Sequence, residues 1–306
     1  MIKKIFLLLI FSVSAIFAFD YNLKPKKVAN NTWCFLGNLD MPRVSNGAFM
    51  SNFCYVKTSK AYVVIDSGSN YNLAKQAYEQ MTKIEKLPVA KVLNTHGHDD
   101  HWLGNSFYKD EFNSELIGTQ SINEQVKLGH KPRVFHVLSK EQMKNTKLTS
   151  LDKVINETTT IKVGNTEFIM IPVGVKAHTS EDLFVYVPQN KALFTGDIVM
   201  NGRVTSNRDG SVIGTLKALE MIQSKQWNTL VPGHGYDTSK TAIDETVKYF
   251  TLLKQRVLEA VEEDVGAENI NKLVKLEEFK DKALYEELNS RNIFDAYGEL
   301  EFYEEE

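Results

Sequence analysis

The run Thr95-His96-Gly97-His98-Asp99-Asp100-His101 constrains this chain more than any other stretch, because it packs three of the seven histidines beside two carboxylates. In a chain of this composition an H-x-H-x-D-H match arises by chance roughly two times in ten thousand. The run follows Val89–Leu93, a short apolar, β-branched segment that reads as a strand. Its ligand-type side chains therefore fall in a loop at a strand's carboxyl end, where open α/β sheets place their crevices. A helix is expected to begin near Asp99. His96 and His98, two apart in an extended loop, can converge on one ion. Asp100 and His101, on the first helical turn, can turn toward a second. Gly97 is read as letting the backbone bend between the two histidines without a Cβ clash. Imidazole nitrogen and carboxylate oxygen suit zinc, with iron or manganese also compatible.

Three further groups follow strands in the same manner. His178 comes after a strand over 167–173. Asp197, in Thr195-Gly196-Asp197, ends a hairpin strand over 192–195. His234, in Pro232-Gly233-His234-Gly235, follows Thr229–Val231. Each alone is unspecific; together they repeat one arrangement, a donor just beyond a strand. Elsewhere, short β-branched and aromatic segments over 32–37, 52–58 and 61–65 predict an antiparallel meander. Apolar residues at Leu73, Ala77, Met81 and Ile84 predict a helix over 70–85. A strand is expected over 114–117, with Ser121 and Glu124 capping the helix after it. Gly164-Asn165 signals a hairpin between 158–163 and 167–173, and a second hairpin joins Leu183–Val187 to 192–195. Helices are expected over 211–225 and 240–263, and the last forty or so residues read as charged helix.

A chain of 306 residues can bury a sizeable core in one large domain. Hydrophobic residues make up 42% and charged residues 25%, an ordinary globular balance that excludes collagen, long disorder and a polytopic membrane protein. The net charge of −3 leaves no basic excess for a phosphate backbone, so nucleic acid is not expected as a partner. Two cysteines cannot build a disulfide framework or a zinc ribbon, so histidine and carboxylate must hold any metal. Lys3 and Lys4, a short apolar stretch and small residues at Ala15 and Ala18 read as a cleavable secretory signal. That stretch is short against the roughly 20 apolar residues a membrane span needs. The expected organisation is a signal peptide at 1–18, a catalytic domain at 19–240 and a helical extension at 241–306 packed on it. The expected location is the periplasm or the exterior, with no stable membrane insertion after cleavage. In that oxidising setting Cys34 and Cys54, on neighbouring strands, suit either a disulfide or two buried thiols.

The order of these donors, over about residues 30–240, resembles the metallo-β-lactamase fold superfamily of binuclear zinc hydrolases. The resemblance implies a four-layer αββα sandwich of the α/β class with a helical C-terminal extension. It implies that His96, His98 and His178 hold one zinc ion, that Asp100, His101 and His234 hold a second, and that Asp197 bridges the two. Val63-Val64-Ile65-Asp66-Ser67-Gly68 is similar to the family's early strand and turn, whose Asp66 would orient the metal loop. Asn292-Ile293-Phe294-Asp295-Ala296-Tyr297, with Glu299-Leu300-Glu301, is similar to exported hydrolases associated with sulfur-oxidation and quinoprotein systems.

The implied chemistry is hydrolysis of an ester, thioester, lactone or amide carbonyl in a small molecule. Two ions about 3.5–4 Å apart can share a water whose pKa falls toward 7. Asp100 is the residue expected to orient the resulting hydroxide and carry a proton to the leaving group. Zinc β-lactamases of the resembled kind typically carry Cys or Ser where this chain has Asp197. A bridging carboxylate is instead the pattern of thioesterases and lactonases. Zinc β-lactamase activity, mononuclear-iron persulfide oxidation and a non-catalytic metal- or partner-binding module are the alternatives. No G-x-S-x-G elbow supplies a protein nucleophile. His130 and His136 read as surface or loop residues. Lys131, Arg203 and Arg208 lie in candidate site loops, where solvated charge is the default reading and a grip on a substrate carboxylate the functional one. Tyr236 is read as an oxyanion donor or a surface ring. The substrate-binding residues and the oligomeric state are not encoded in these motifs.

Overall fold

Alternation along the strands sorts side chains onto two faces, and both faces of each sheet are covered. A computed structural model describes residues 19–304. The segment read as a signal peptide, 1–18, lies outside the described residues.

The first sheet runs in chain order through β1 (Lys26–Ala29), β2 (Thr32–Phe35), β3 (Phe53–Lys57), β4 (Tyr62–Ile65), β5 (Val89–Leu93), β6 (Glu115–Gly118) and β7 (Lys153–Val154). Strands β1 to β4 form the expected antiparallel meander, and β4 to β7 pair in parallel. The second sheet has the order β12-β11-β10-β9-β8, from β8 (Thr159–Val163), β9 (Thr166–Pro172), β10 (Leu183–Val187), β11 (Ala192–Phe194) and β12 (Thr229–Val231). Its β11 and β12 are parallel and the remaining pairs antiparallel.

On β3 and β4, Cys54, Val56, Val63 and Ile65 face the second sheet and pack with Phe168, Met170, Val185 and Phe194. Their neighbours Tyr55, Tyr62 and Val64 point the other way, onto helix α1 (Tyr71–Thr82) through Leu73, Ala77 and Met81. On β10, Phe184 leaves the inter-sheet core and packs with Leu219 and Ile222. Those residues lie on the helix Val212–Gln223. The layers are therefore helix, sheet, sheet, helix, the four-layer αββα sandwich expected. Burying each such aliphatic or aromatic side chain contributes about 1.5–3 kcal/mol.

Cys34 and Cys54 are directly opposed in the β2–β3 register and form a disulfide, buried between the sheets. The C-terminal helices Asp244–Glu262 and Tyr285–Leu300 share a third apolar cluster with Val204 and Val212. They are tied to the rest of the chain by Glu299, which accepts from the Ser211 hydroxyl and the Val212 N–H. No helix among the described residues is long and apolar enough to cross a membrane.

One helix start differs from expectation. Helix Gln120–Leu128 begins after Thr119, so Ser121 and Glu124 lie inside it. The free Ser121 N–H is satisfied by the Glu181 carboxylate at 2.9 Å, a cap supplied from a distant loop.

Candidate metal centre

Strand β5 ends at Leu93 and its chain runs on into the histidine loop, which returns as a short helix, Asp99–Trp102. That helix is too short to stand by itself. Trp102 anchors it: the ring is fully buried against the first sheet's helical face, and its Nε1–H donates to the Gly97 carbonyl at 3.0 Å. The Asn94 side chain and the Ser67 N–H both donate to the His101 carbonyl. Gly97 lies against the neighbouring helix, where a side chain would crowd it. A Cβ would stand 2.7 Å from Ser121 Oγ and 2.9 Å from Gln125 Nε2 on the neighbouring helix.

The other donors arrive from the second sheet. His178 lies in the loop between β9 and β10, Asp197 in a single 3-10 turn (Gly196–Ile198) after β11, and His234 after β12. Asn52 pins the His234 loop by donating from Nδ2 to the carbonyls of Pro232 and Gly235, both at 2.9 Å. Gly233 is required because a Cβ would fall 2.0 Å from Asp197 Oδ1.

Two groups of metal-type donors result, His96, His98, His178 and Asp197 in one and Asp100, His101 and His234 in the other. Within each group the donor atoms lie within 4.8 Å of one another. Asp197 stands between them. Its Oδ1 is 3.1 Å from His101 Nε2, and its Oδ2 is 3.3 Å from both His178 Nε2 and His234 Nε2. Asp100 Oδ2 is 3.5 Å from His234 Nε2. All seven residues named from the sequence as ligands are thus brought together, and Asp66 with them.

Hydrogen bonds at the far side of the rings aim the free nitrogens inward. His101 Nδ1 meets Asp66 Oδ2 at 2.8 Å, His234 Nδ1 donates to the Met50 carbonyl at 2.8 Å, and His98 Nε2 meets Asp209 Oδ2 at 3.3 Å. Each contact fixes a tautomer and leaves the other nitrogen facing the centre. His96 Nε2, His101 Nε2 and Asp197 Oδ1 are buried at the centre without hydrogen-bond partners, while His178 turns Nε2 inward, 3.3 Å from Asp197 Oδ2. Such atoms are costly in a folded interior unless something else binds them. An all-nitrogen-and-oxygen donor set with orphaned inward atoms fits a metal.

Electrostatics within the cluster are strong. Burial and the neighbouring His101 hold the His96 imidazole well below its usual range. Burial pulls His101 the same way, but Asp197 and Asp66 raise it well above. Burial favours the neutral acid at Asp100 and Asp197. For Asp100 the charges of His101, Arg133 and His234 win, and for Asp197 those of His234 and His101, so both carboxyls stay far below the ordinary range.

The centre opens into a cleft of about 400 Å³ whose rim includes Met41, Gln125, Arg133, Arg203 and Leu288. Leu288 belongs to the C-terminal helix Tyr285–Leu300, so the extension contributes to the wall. Two contributors escaped the sequence. Arg133 Nη2 contacts Asp99 Oδ1 at 2.9 Å and Asp100 Oδ1 at 3.0 Å, while the Val134 N–H donates to Asp99 Oδ2. Asp209 sits behind His98. Neither has a local sequence signal, since the partners lie 33 and 111 residues away. Arg203 corrects the default reading of solvated charge: it is 9% exposed and faces the cleft. Burial lowers its guanidinium from the usual value. Arg208 is exposed and pairs with Asp209 at 2.7 Å. Lys131, His130 and His136 are exposed and do not line the cleft. Tyr236 is half exposed, outside that wall.

The model of the metallo-β-lactamase superfamily matches residues 46–234, which spans every donor named above. The chain is 25% identical over 216 residues to a metallo-β-lactamase type 2 of Elizabethkingia meningoseptica, covering 68% of this chain and 78% of that protein. It is 26% identical over 210 residues to a metallo-β-lactamase type 2 of Bacillus cereus, covering 67% and 73%. Among solved structures, a metallo-β-lactamase from Pontibacter korlensis superposes with a TM-score of 0.60 at 19% identity, covering 75% of this chain and 99% of that one. The metallo-β-lactamase IND-7 superposes equally, with 0.60 at 18% identity, over 76% and 100%.

Proposed function

The chain belongs to the metallo-β-lactamase superfamily of hydrolases, and on that premise we propose that it is an exported dizinc enzyme that hydrolyses a thioester or activated ester of a small molecule. The observation that supports this most is the place of Asp197, a carboxylate within 3.3 Å of His178, His101 and His234 and so shared by both donor groups. Shared anionic charge favours two ions of similar affinity. A Cys or Ser there would bind mainly one ion or neither, leaving the two sites differently tuned.

In this reading His96, His98 and His178 hold one ion, Asp100, His101 and His234 the other, and Asp197 both. When bound, a zinc pair lowers the pKa of water and polarises a carbonyl oxygen. The chain's own residues do the rest. Asp100, kept ionised by His101, by the Arg133 guanidinium at 3.0 Å and by His234, accepts the proton of the attacking water. It returns that proton to the departing thiolate or alkoxide as the bond to the carbonyl carbon breaks, releasing an acid and a thiol or alcohol. The buried walls around Asp100 and Asp197 keep these charge movements out of bulk water. The signal segment 1–18 would direct the chain out of the cytoplasm, and the Cys34–Cys54 disulfide suits that destination.

The test is kcat/KM on zinc-loaded mature protein for a thioester, an activated ester, a penicillin and a carbapenem. Thioester or ester turnover is expected to exceed β-lactam turnover. Efficient β-lactam hydrolysis without measurable ester or thioester cleavage would overturn the substrate reading. It would favour the activity printed in the names of the relatives.

A further inference from the structure

The C-terminal helix Tyr285–Leu300 lies beyond the stretch matched by the family model, which ends at residue 234. It nevertheless reaches the metal centre through segment 205–211, which leads into helix Val212–Gln223 and forms neither helix nor strand. Such a segment keeps one conformation only where other parts of the chain tie it down.

Asn292 and Glu299 supply those ties. They lie about two turns apart and so share one face of their helix. The buried Asn292 accepts the Asn207 N–H at Oδ1, 2.9 Å away, and donates from Nδ2 to the Thr205 carbonyl at 2.6 Å. Glu299 accepts the Ser211 hydroxyl at 2.5 Å and the Val212 and Ile213 N–H groups at 2.7 and 3.2 Å. It thereby satisfies free donors at the start of helix Val212–Gln223 from outside that helix.

The residues between these two anchors touch the donors. Asp209 Oδ2 stands 3.3 Å from His98 Nε2, and the Ser211 N–H donates at 2.8 Å to the carbonyl of Ala177, the neighbour of His178. Gly210 packs so closely that a Cβ would fall 2.4 Å from Ala177 O and 3.1 Å from His178 O. Asp209 has little hold on His98 by itself, because its side chain is 45% exposed and an exposed pair on a loose segment orders little. Its other partner, Arg208, rides on the same segment and adds no tether. Asp100, His101 and His234 are oriented instead by Arg133, Asp66 and Met50, none of them on this segment or the C-terminal helix.

We propose that Asn292 and Glu299 are positioning residues for one ion of the pair, the one held by His96, His98 and His178, and that they act by fixing segment 205–211 behind His98 and His178. This rests on the two-ion reading of the centre and on no particular substrate.

The test measures zinc affinity by chelator competition in two single-group proteins. His234→Ala leaves the His96, His98, His178 and Asp197 group, and His96→Ala leaves the other. Asn292→Leu and Glu299→Leu are each combined with both. In the His234→Ala background each should weaken zinc binding about 5–10-fold, and Glu299→Gln, which keeps one acceptor, should do so less. In the His96→Ala background affinity should stay within about 2-fold. Val257→Ala opens a cavity in the same C-terminal apolar cluster and controls for lost stability; it should change neither affinity. Hydrogen exchange on metal-free protein is the second readout, with residues 205–213 exchanging faster in Asn292→Leu and Glu299→Leu than in Val257→Ala. An equal change in both backgrounds, no change in either, the same divided change in Val257→Ala, or unchanged exchange at 205–213 would overturn the proposal. If neither background binds zinc although wild type does, the two-ion reading falls. Faster exchange together with weaker zinc binding in Asn292→Leu alone would then keep the positioning role, and unchanged binding would overturn it.

Discussion

The Asp66 carboxylate meets His101 Nδ1 at 2.8 Å while accepting the Thr95 N–H at 2.9 Å, so one side chain clamps both ends of the histidine loop. Asp66 does this from a left-handed backbone, φ 55°, a conformation costly for a residue with a Cβ. The Thr95 hydroxyl, also on Asp66, reaches His96 Nδ1 at 3.0 Å and carries the restraint to a second ring. Loop order and imidazole direction are thus set by a residue that belongs to neither donor group and acts through His101 and Thr95.

Asp66→Asn retains shape but loses charge and one acceptor. Zinc affinity is expected to fall about 10–100-fold, with the folded state retained at saturating metal. Competition with a zinc-binding dye reads the affinity, and wild-type affinity in the variant would remove the clamp from the account.

Asp99 and Asp100 are joined by Arg133, whose side chain is 41% exposed toward the cleft. Because that exposure screens the pair, Arg133→Met should cost only about 1 kcal/mol of stability. Its effect should fall on Asp100 instead, lowering kcat about 10-fold while KM and zinc content stay near wild type. Arg133→Lys should recover part of kcat. Loss confined to KM would mean that Arg133 contacts substrate and does not position Asp100.

The contrast between these residues shows what a sequence can disclose. Val89–Leu93, Leu183–Val187 and Thr229–Val231 were legible to the residue, because each is a mostly apolar run closed by turn-forming or polar residues. The donors were legible because each follows such a strand and three histidines crowd one loop. The edge strands Lys26–Ala29 and Lys153–Val154 carry too little apolar pattern to be seen. Arg133 on Asp100 and Asp209 on His98 arise only when distant loops meet. Arg203 reads as solvent-facing by residue type, yet the fold leaves it only 9% exposed. Gly97 was legible as a place where a Cβ would clash, but the side chains it would meet, Ser121 and Gln125, come from a later helix and were not.

Cys34 and Cys54 close a loop of sequence separation 20 within the inter-sheet core. The doubly substituted Cys34→Ala/Cys54→Ala protein should lose about 3 kcal/mol, with zinc content unchanged because the pair lies away from the cleft. Urea unfolding with and without reductant measures this. Intact mass of protein from the periplasm should show a chain beginning close to Phe19 and two hydrogens lighter than the dithiol. Retained Met1 on membrane-bound protein would contradict the export reading.

His96→Ala and His234→Ala each remove a donor from a different group, and Asp197→Ala removes the one between them. Native-state metal binding stabilises the fold, so all three should lower both zinc content and thermal stability. Loss should be graded, however. His96→Ala should leave Asp100, His101, His234 and Asp197 able to hold one ion, and His234→Ala should leave His96, His98, His178 and Asp197 able to do the same. Each is expected near one equivalent. Asp197→Ala weakens both groups together, so its two equivalents should be lost over a single range of chelator concentration. Asp197→Cys provides the complement: a thiolate leans toward one ion, so chelator should now remove zinc in two separated steps. Elemental analysis across a chelator series distinguishes these outcomes. Two distinct steps in Asp197→Ala, or one in Asp197→Cys, would show that Asp197 serves a single ion despite standing between both groups.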